Sequence, residues 1–146
     1  SQAIVRYVAA KYGAGSLWPE DPAARAIADE WMEWNSSSLQ PALMGVFMNV
    51  WRTPEFRRNP QLIRNLVSRC GQIMLFLNKH LENSPYIAGD KFTMGDIPAG
   101  AMLYRYFELD IERPHVPNVS AWYARLQERS PFRNSVMISF EDLKGQ

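Results

Sequence analysis

Cysteine is almost missing from this chain: Cys70 is the sole thiol in 146 residues. No internal disulfide can form, and none is needed, because a chain this long buries roughly 70% of the surface its unfolded form exposes. That usage fits a reducing, cytosolic compartment. Histidine is nearly as scarce, with His80 and His115 alone, so a tetrahedral zinc set cannot be assembled and no metal site is expected. An excess of one charge is also lacking. Sixteen basic residues face 15 acidic ones, for a net charge of +1. That balance supplies neither a footprint for a phosphate backbone nor attraction to anionic lipid, so neither nucleic acid nor a membrane surface is expected as a partner. Long apolar runs are absent too. The richest, Ala42 to Trp51, is interrupted by Asn49 and falls far short of the ~20 residues of a membrane span. Nor does a basic leader precede a long apolar block at the start, so no signal peptide is read there. The chain opens inside an apparent helix, which points to a preceding part.

What is present is helical periodicity. Ile4, Val8 and Tyr12 share one face of a first helix, with Val5 and Ala9 beside them, and Gly13-Ala14-Gly15-Ser16 ends it. No strand precedes these glycines and a third is lacking, so they read as a helix stop rather than a phosphate loop. Asp21-Pro22 is an N-cap followed by proline at the first helical position. Ile27, Trp31 and Trp34 follow at helical spacing, and Leu43, Val46, Phe47, Val50 and Trp51 continue the stripe beyond Pro41. Proline removes a donor from the ladder, so a kink or break near Gln40 is expected in a long, bent helix. Asn59-Pro60 repeats the start signal ahead of Leu62, Leu66, Ile73 and Leu77. With Ile63, Val67, Cys70, Met74 and Leu81 flanking that stripe, the helix should be packed on more than one side. Cys70 falls inside the apolar set and reads as an inert core thiol.

Ser84 to Lys91 is a breaker-rich connection. It leads into Thr93-Met94-Gly95-Asp96, a capping box in which the Thr93 hydroxyl would accept the Asp96 amide and the Asp96 carboxylate the Thr93 amide. Phe92 and Ile97 occupy the staple positions around it. Ala101, Tyr104 and Phe107 extend that helix. Val119, Trp122, Tyr123 and Leu126 mark another, and Ser130-Pro131 starts a short last one. No segment alternates with period two. The fold class is therefore all-α, a bundle of six to seven helices forming a single domain over 1–146.

Pro85-Tyr86-Ile87-Ala88-Gly89-Asp90-Lys91-Phe92-Thr93-Met94-Gly95-Asp96-Ile97 resembles the segment leading into the central buried helix of cytosolic glutathione transferases. Pro117 to Leu126, followed by Arg129-Ser130-Pro131-Phe132, looks like the next helix and turn of the same C-terminal helical domain, and Trp18-Pro19-Glu20-Asp21-Pro22 like the approach to its long bent helix. The resemblance covers Ser1 to about Val136. It implies that an upstream thioredoxin-like domain, absent from this chain, activates the thiol of glutathione, the co-substrate, while the helical half holds a hydrophobic electrophile close to it. No covalently bound cofactor and no catalytic residue of this chain are implied, and the fragment alone would be inactive.

The same resemblance implies that Ser1, at a helix N-terminus, holds the γ-glutamyl carboxylate, although for the chain in isolation an ordinary N-cap is the better reading. Trp34, Ser38, Tyr104, Phe107 and Met137 are the substrate-binding candidates, each aromatic also being a candidate for plain core packing. A homodimer built on the long helix and the Asn59–Leu81 helix is implied as well. The alternative is a non-catalytic protein-interaction module of the same fold, docking partners through Trp31, Trp34 and Trp51.

Overall fold

The Asp21 carboxylate accepts the Ala24 amide at 2.9 Å, so the chain turns into α2 (Pro22–Trp34) as the Asp-Pro signature predicts. A computed structural model describes residues 1–145, with α1 spanning Gln2–Tyr12 ahead of this helix. The rod does not break at Pro41. A π-helical stretch, Asn35–Leu39, lies just before it, α3 (Gln40–Phe47) carries on, and a second π stretch, Met48–Arg52, ends the helix. Proline cannot donate to the carbonyl four residues back, and a widened turn lets the ladder absorb the loss. The kink expected near Gln40 is thus a π insertion one turn earlier in an unbroken rod.

α4 (Pro60–His80) starts likewise, with Asn59 accepting the Leu62 amide at 3.1 Å. Cys70, Met74 and Leu77 are buried, but Leu62, Leu75 and Phe76 are exposed. α4 packs against both α3 and α6 (Pro117–Gln127), as the flanking apolar residues suggest, while Leu62, Leu75 and Phe76 leave a further strip of it open. α5 (Asp96–Glu108) runs through the middle and touches α2, α3 and α6. Its Ala99, Leu103 and Tyr106 are buried, with Val119, Trp122, Tyr123 and Leu126 of α6 in the same core. α7 (Ser130–Ser135) is short and is followed by a tail with one tight turn at Glu141–Leu143. Among the described residues there is no strand, only the isolated bridges Ala14–Trp18 and Tyr86–Gly89. The architecture is the expected all-α bundle.

Half of the capping box is as expected. The Asp96 carboxylate accepts the Thr93 amide at 2.8 Å, but the Thr93 hydroxyl takes the Gly95 amide, at 3.2 Å, while the Asp96 amide reaches the Thr93 carbonyl at 3.1 Å. The first turn is tighter than an ideal box, and the hydroxyl meets the nearer donor. Asp96 does more than cap. Fully buried, it also accepts the Ile87 amide at 2.9 Å and the Trp122 indole N–H at 3.0 Å, tying the preceding loop and α6 to the start of α5. Burial pushes its carboxyl above the ordinary carboxylate range, and the N–H donors of Thr93, Ile87 and Trp122 oppose that shift. Gly95 is required by close approach: a Cβ there would lie 2.9 Å from the Ala28 carbonyl oxygen and 3.2 Å from its Cα. Phe92 packs under the Arg129 guanidinium, 3.8 Å from the ring centroid, and edge-on to Tyr86.

α1 faces the other way from the stripe that its sequence suggests. Ala9 and Val5 pack with Ala28, Met32 and Met94, while Ile4, Tyr7, Val8 and Tyr12 are 42% to 72% exposed. Polar bonds fix this orientation. Arg6 pairs with Asp29 and Glu33 of α2, and the Gln2 side-chain amide donates to the Met32 carbonyl at 3.2 Å and to Ser36 Oγ at 2.7 Å.

Candidate functional site

Tyr104 lies on the side of α5 that meets the C-terminal tail. Its ring stands edge-on to Phe140, 5.8 Å between centroids, and both border a cavity of about 380 Å³. Met102 and Arg105 of α5 form the floor with Tyr104, and Ser139, Phe140 and Asp142 close the far side. The tail is held there by the end of the long helix. Trp51 Nε1 donates to the Phe140 carbonyl at 3.1 Å, the Gly145 amide donates to the Trp51 carbonyl at 2.9 Å, and Lys144 sits over the Trp51 ring. Phe140 also packs edge-on to Phe47 and Trp51. The wall is thus mainly apolar, two aromatic rings among aliphatic side chains, with a guanidinium, a phenol, hydroxyls and the Asp142 carboxylate as its polar groups. Such a lining has the chemistry to hold a small apolar ligand and orient one polar group on it.

The other candidates are dispersed. Trp34 is half-buried on α2, edge-on to Trp31 at 5.0 Å and beside Phe76, with the His80 ring tilted against Trp31, 4.1 Å between centroids. That cluster faces α4 rather than the cavity. Ser38 is in the first π stretch, its hydroxyl 3.5 Å from that of Ser37. Phe107 stacks on Tyr123 at 4.7 Å, and Met137 Sδ is 3.9 Å from the Gln127 side-chain nitrogen. Of the five substrate candidates, then, only Tyr104 borders this cavity. Ser1 occupies the N-cap position of α1 and makes no side-chain capping bond. Cys70 is buried and its thiol is pushed up to about 11 by desolvation, which leaves it without thiolate character near neutrality. No group of three His, Cys, Asp or Glu side chains is placed to hold a metal among the described residues, nor is any helix long and apolar enough to cross a membrane.

A family model described as "Glutathione S-transferase, C-terminal domain" matches residues 39–130. The chain belongs to that family. It is 37% identical to glutathione S-transferase GstB of Escherichia coli strain K12 over 94% of its own length and 66% of that protein's, and 34% identical to glutathione S-transferase 1 of Manduca sexta over 91% and 60%. The theta class glutathione S-transferase of Xanthomonas axonopodis pv. citri, solved in apo form and with glutathione bound, superposes with a TM-score of 0.91 at 40% identity. The match covers 94% of this chain and 72% of the apo chain. The chain spans 66% of the length of the Escherichia coli protein and 60% of the Manduca sexta one, less than two thirds of each.

Within this glutathione S-transferase C-terminal domain, sequence reading missed Arg105 and Phe140. Arg105 adjoins Tyr104 and lay one residue from a stated candidate. Phe140 follows the last helix start by several residues, and its partners Phe47, Trp51 and Tyr104 are far away in the chain, so no local spacing announces it.

Proposed function

We propose that this chain is the electrophile-binding helical half of a glutathione transferase, and that a thioredoxin-like half precedes it in the working protein. In this reading the upstream half binds glutathione and generates its thiolate, which attacks the electrophile. The cavity under Phe140, with Tyr104 on its floor, holds the hydrophobic electrophile, and its contribution to rate is positional. Ser1 would meet the γ-glutamyl carboxylate of glutathione at the start of α1, where helix amides favour an anion.

The observation that carries the reading is the outward apolar face of α1. Ile4, Tyr7, Val8 and Tyr12 form a stripe directed away from the bundle, and a contiguous apolar face of that kind marks a contact surface. An upstream domain would cover it and so come to lie beside Ser1. A second open face, with Ile27 on α2 and Phe76 on α4, supports a homodimer through the long helix and α4.

The test joins the chain downstream of the upstream portion of the Escherichia coli relative. Glutathione binding by calorimetry and conjugation of a hydrophobic electrophile are expected for the joined protein, and no conjugation for the 146-residue chain alone. A folded joined protein that binds glutathione yet conjugates nothing would overturn the electrophile-binding role. If it captures a defined protein partner independently of glutathione, the interaction-module reading takes its place.

A further inference from the structure

Six arginines are half-buried among the described residues: Arg6, Arg25, Arg58, Arg105, Arg113 and Arg125. Five of them have their charge answered. Arg6 pairs with Asp29 and Glu33, and the other four donate to carbonyl oxygens: Arg25 to Pro19, Arg58 to Thr53, Arg113 to Tyr106, Phe107 and Leu109, and Arg125 to Pro85. Arg105 is the exception. Its guanidinium lies over the Phe47 ring, 5.2 Å from the centroid, and has neither a hydrogen-bond acceptor nor an ion-pair partner among the described residues. A guanidinium carries five donors and cannot shed its proton, so leaving it half out of water with no acceptor is unfavourable. It is also the arginine that borders the cavity under Phe140.

We propose that this cavity selects ligands that pair an apolar body with an anionic group of the carboxylate class, the anion seated on Arg105 and the apolar body against Tyr104 and Phe140. The proposal rests on the electrophile-pocket reading above and narrows it to anionic electrophiles. The five other half-buried arginines show how this fold satisfies such a group, and here the missing acceptor is left for a ligand to bring. A carboxylate can meet the planar fork with two parallel hydrogen bonds, which a neutral amide cannot match. The other charged side chain on the lining, Asp142, is exposed, lies across the cavity mouth on the tail, and is not within ion-pairing distance of Arg105. It opposes an anion from the solvent side, where water screens it more than the half-buried guanidinium.

Unreactive probes test this on the 146-residue chain as it stands. Binding of 4-phenylbutyrate and of 4-phenylbutyramide is titrated by calorimetry, with backbone amide shifts of Ser139, Phe140 and Tyr104 locating the site. The carboxylate is expected to bind about tenfold tighter than the amide, a difference typical of a single charge-assisted contact at a partly wet site. Arg105→Gln should erase the preference while leaving the amide's affinity in place, Arg105→Lys should retain part of it, and Asp142→Asn should strengthen it. Thermal unfolding confirms that each variant is folded. Equal affinities for the two probes in the parent chain would overturn the anion preference and leave the electrophile-pocket reading standing. Binding of the carboxylate that moves shifts elsewhere, or that Arg105→Gln does not weaken, would overturn the assignment to this cavity. Loss of conjugation in the joined protein, with the carboxylate preference intact, would instead overturn the transferase reading alone.

Discussion

Replacing Asp96 tests the device that starts the central helix. Its Oδ1 accepts both the Ile87 amide at 2.9 Å and the Trp122 indole at 3.0 Å, while Oδ2 accepts the Thr93 amide at 2.8 Å. Asp96→Ala leaves three donors unpaired at a fully buried position. Each orphaned donor costs ~1–3 kcal/mol, but removing the carboxylate also ends the cost of keeping a charge out of water. Three neutral donors at that cost, less the relief of no longer burying a carboxylate, leave a net expected loss of about 3–5 kcal/mol. Asp96→Asn separates the contributions. Its single oxygen can stay on Ile87 and Trp122, but its NH2 group then faces the Thr93 amide, donor against donor. One bond is lost rather than three, so about 1–3 kcal/mol is expected. Urea unfolding followed by tryptophan fluorescence measures both, with an unchanged slope as the condition for comparing midpoints. The indole N–H resonance of Trp122 should keep its bonded shift in Asp96→Asn and lose it in Asp96→Ala. Equal losses for the two variants, or a Trp122 resonance indifferent to both, would refute the reasoning.

Further outcomes are expected elsewhere. Thr93→Ala should cost about 1 kcal/mol by urea midpoint, since the one cap bond of its hydroxyl, to the Gly95 amide at 3.2 Å, is lost. Gly95→Ala should cost more, ~1–3 kcal/mol, because the new methyl meets the Ala28 backbone and pushes α5 away from α2. Stability should decline as pH rises above about 9. Burial holds the Cys70 thiol up to about 11 and the Tyr106 phenol up to about 12, so the unfolded chain releases protons that the native chain still keeps, and alkali favours unfolding. Midpoints that stay flat from pH 8 to pH 10.5 would contradict both assignments. In the same vein, Cys70 should react with a thiol reagent at pH 8 only in step with unfolding.

Local signals made much of this fold legible. Asp21-Pro22 and Asn59-Pro60 each act within four residues, and both form the caps read from them. Asp96 was legible as a cap because its contact with Thr93 is local. Its bond to Trp122, 26 residues away, carries no spacing rule. The stripe of α1 was visible, but not the side it would face: Arg6 and Gln2 reach into α2 and turn Ile4, Val8 and Tyr12 outward. The π insertion at Asn35–Leu39 came one turn before the proline that marked the bend. At the candidate site, Tyr104 was readable from its place on α5. The wall opposite it was not, since Phe140 is held by Trp51 across 89 residues of sequence.

The most direct measurement of the division of labour is a kinetic split in the joined protein. With Tyr104→Ala, the KM for the electrophile is expected to rise severalfold while the KM for glutathione stays at the parent value, the pattern left by losing a contact to one substrate only. A variant that weakens glutathione and leaves the electrophile untouched would contradict the assignment of this half to the electrophile.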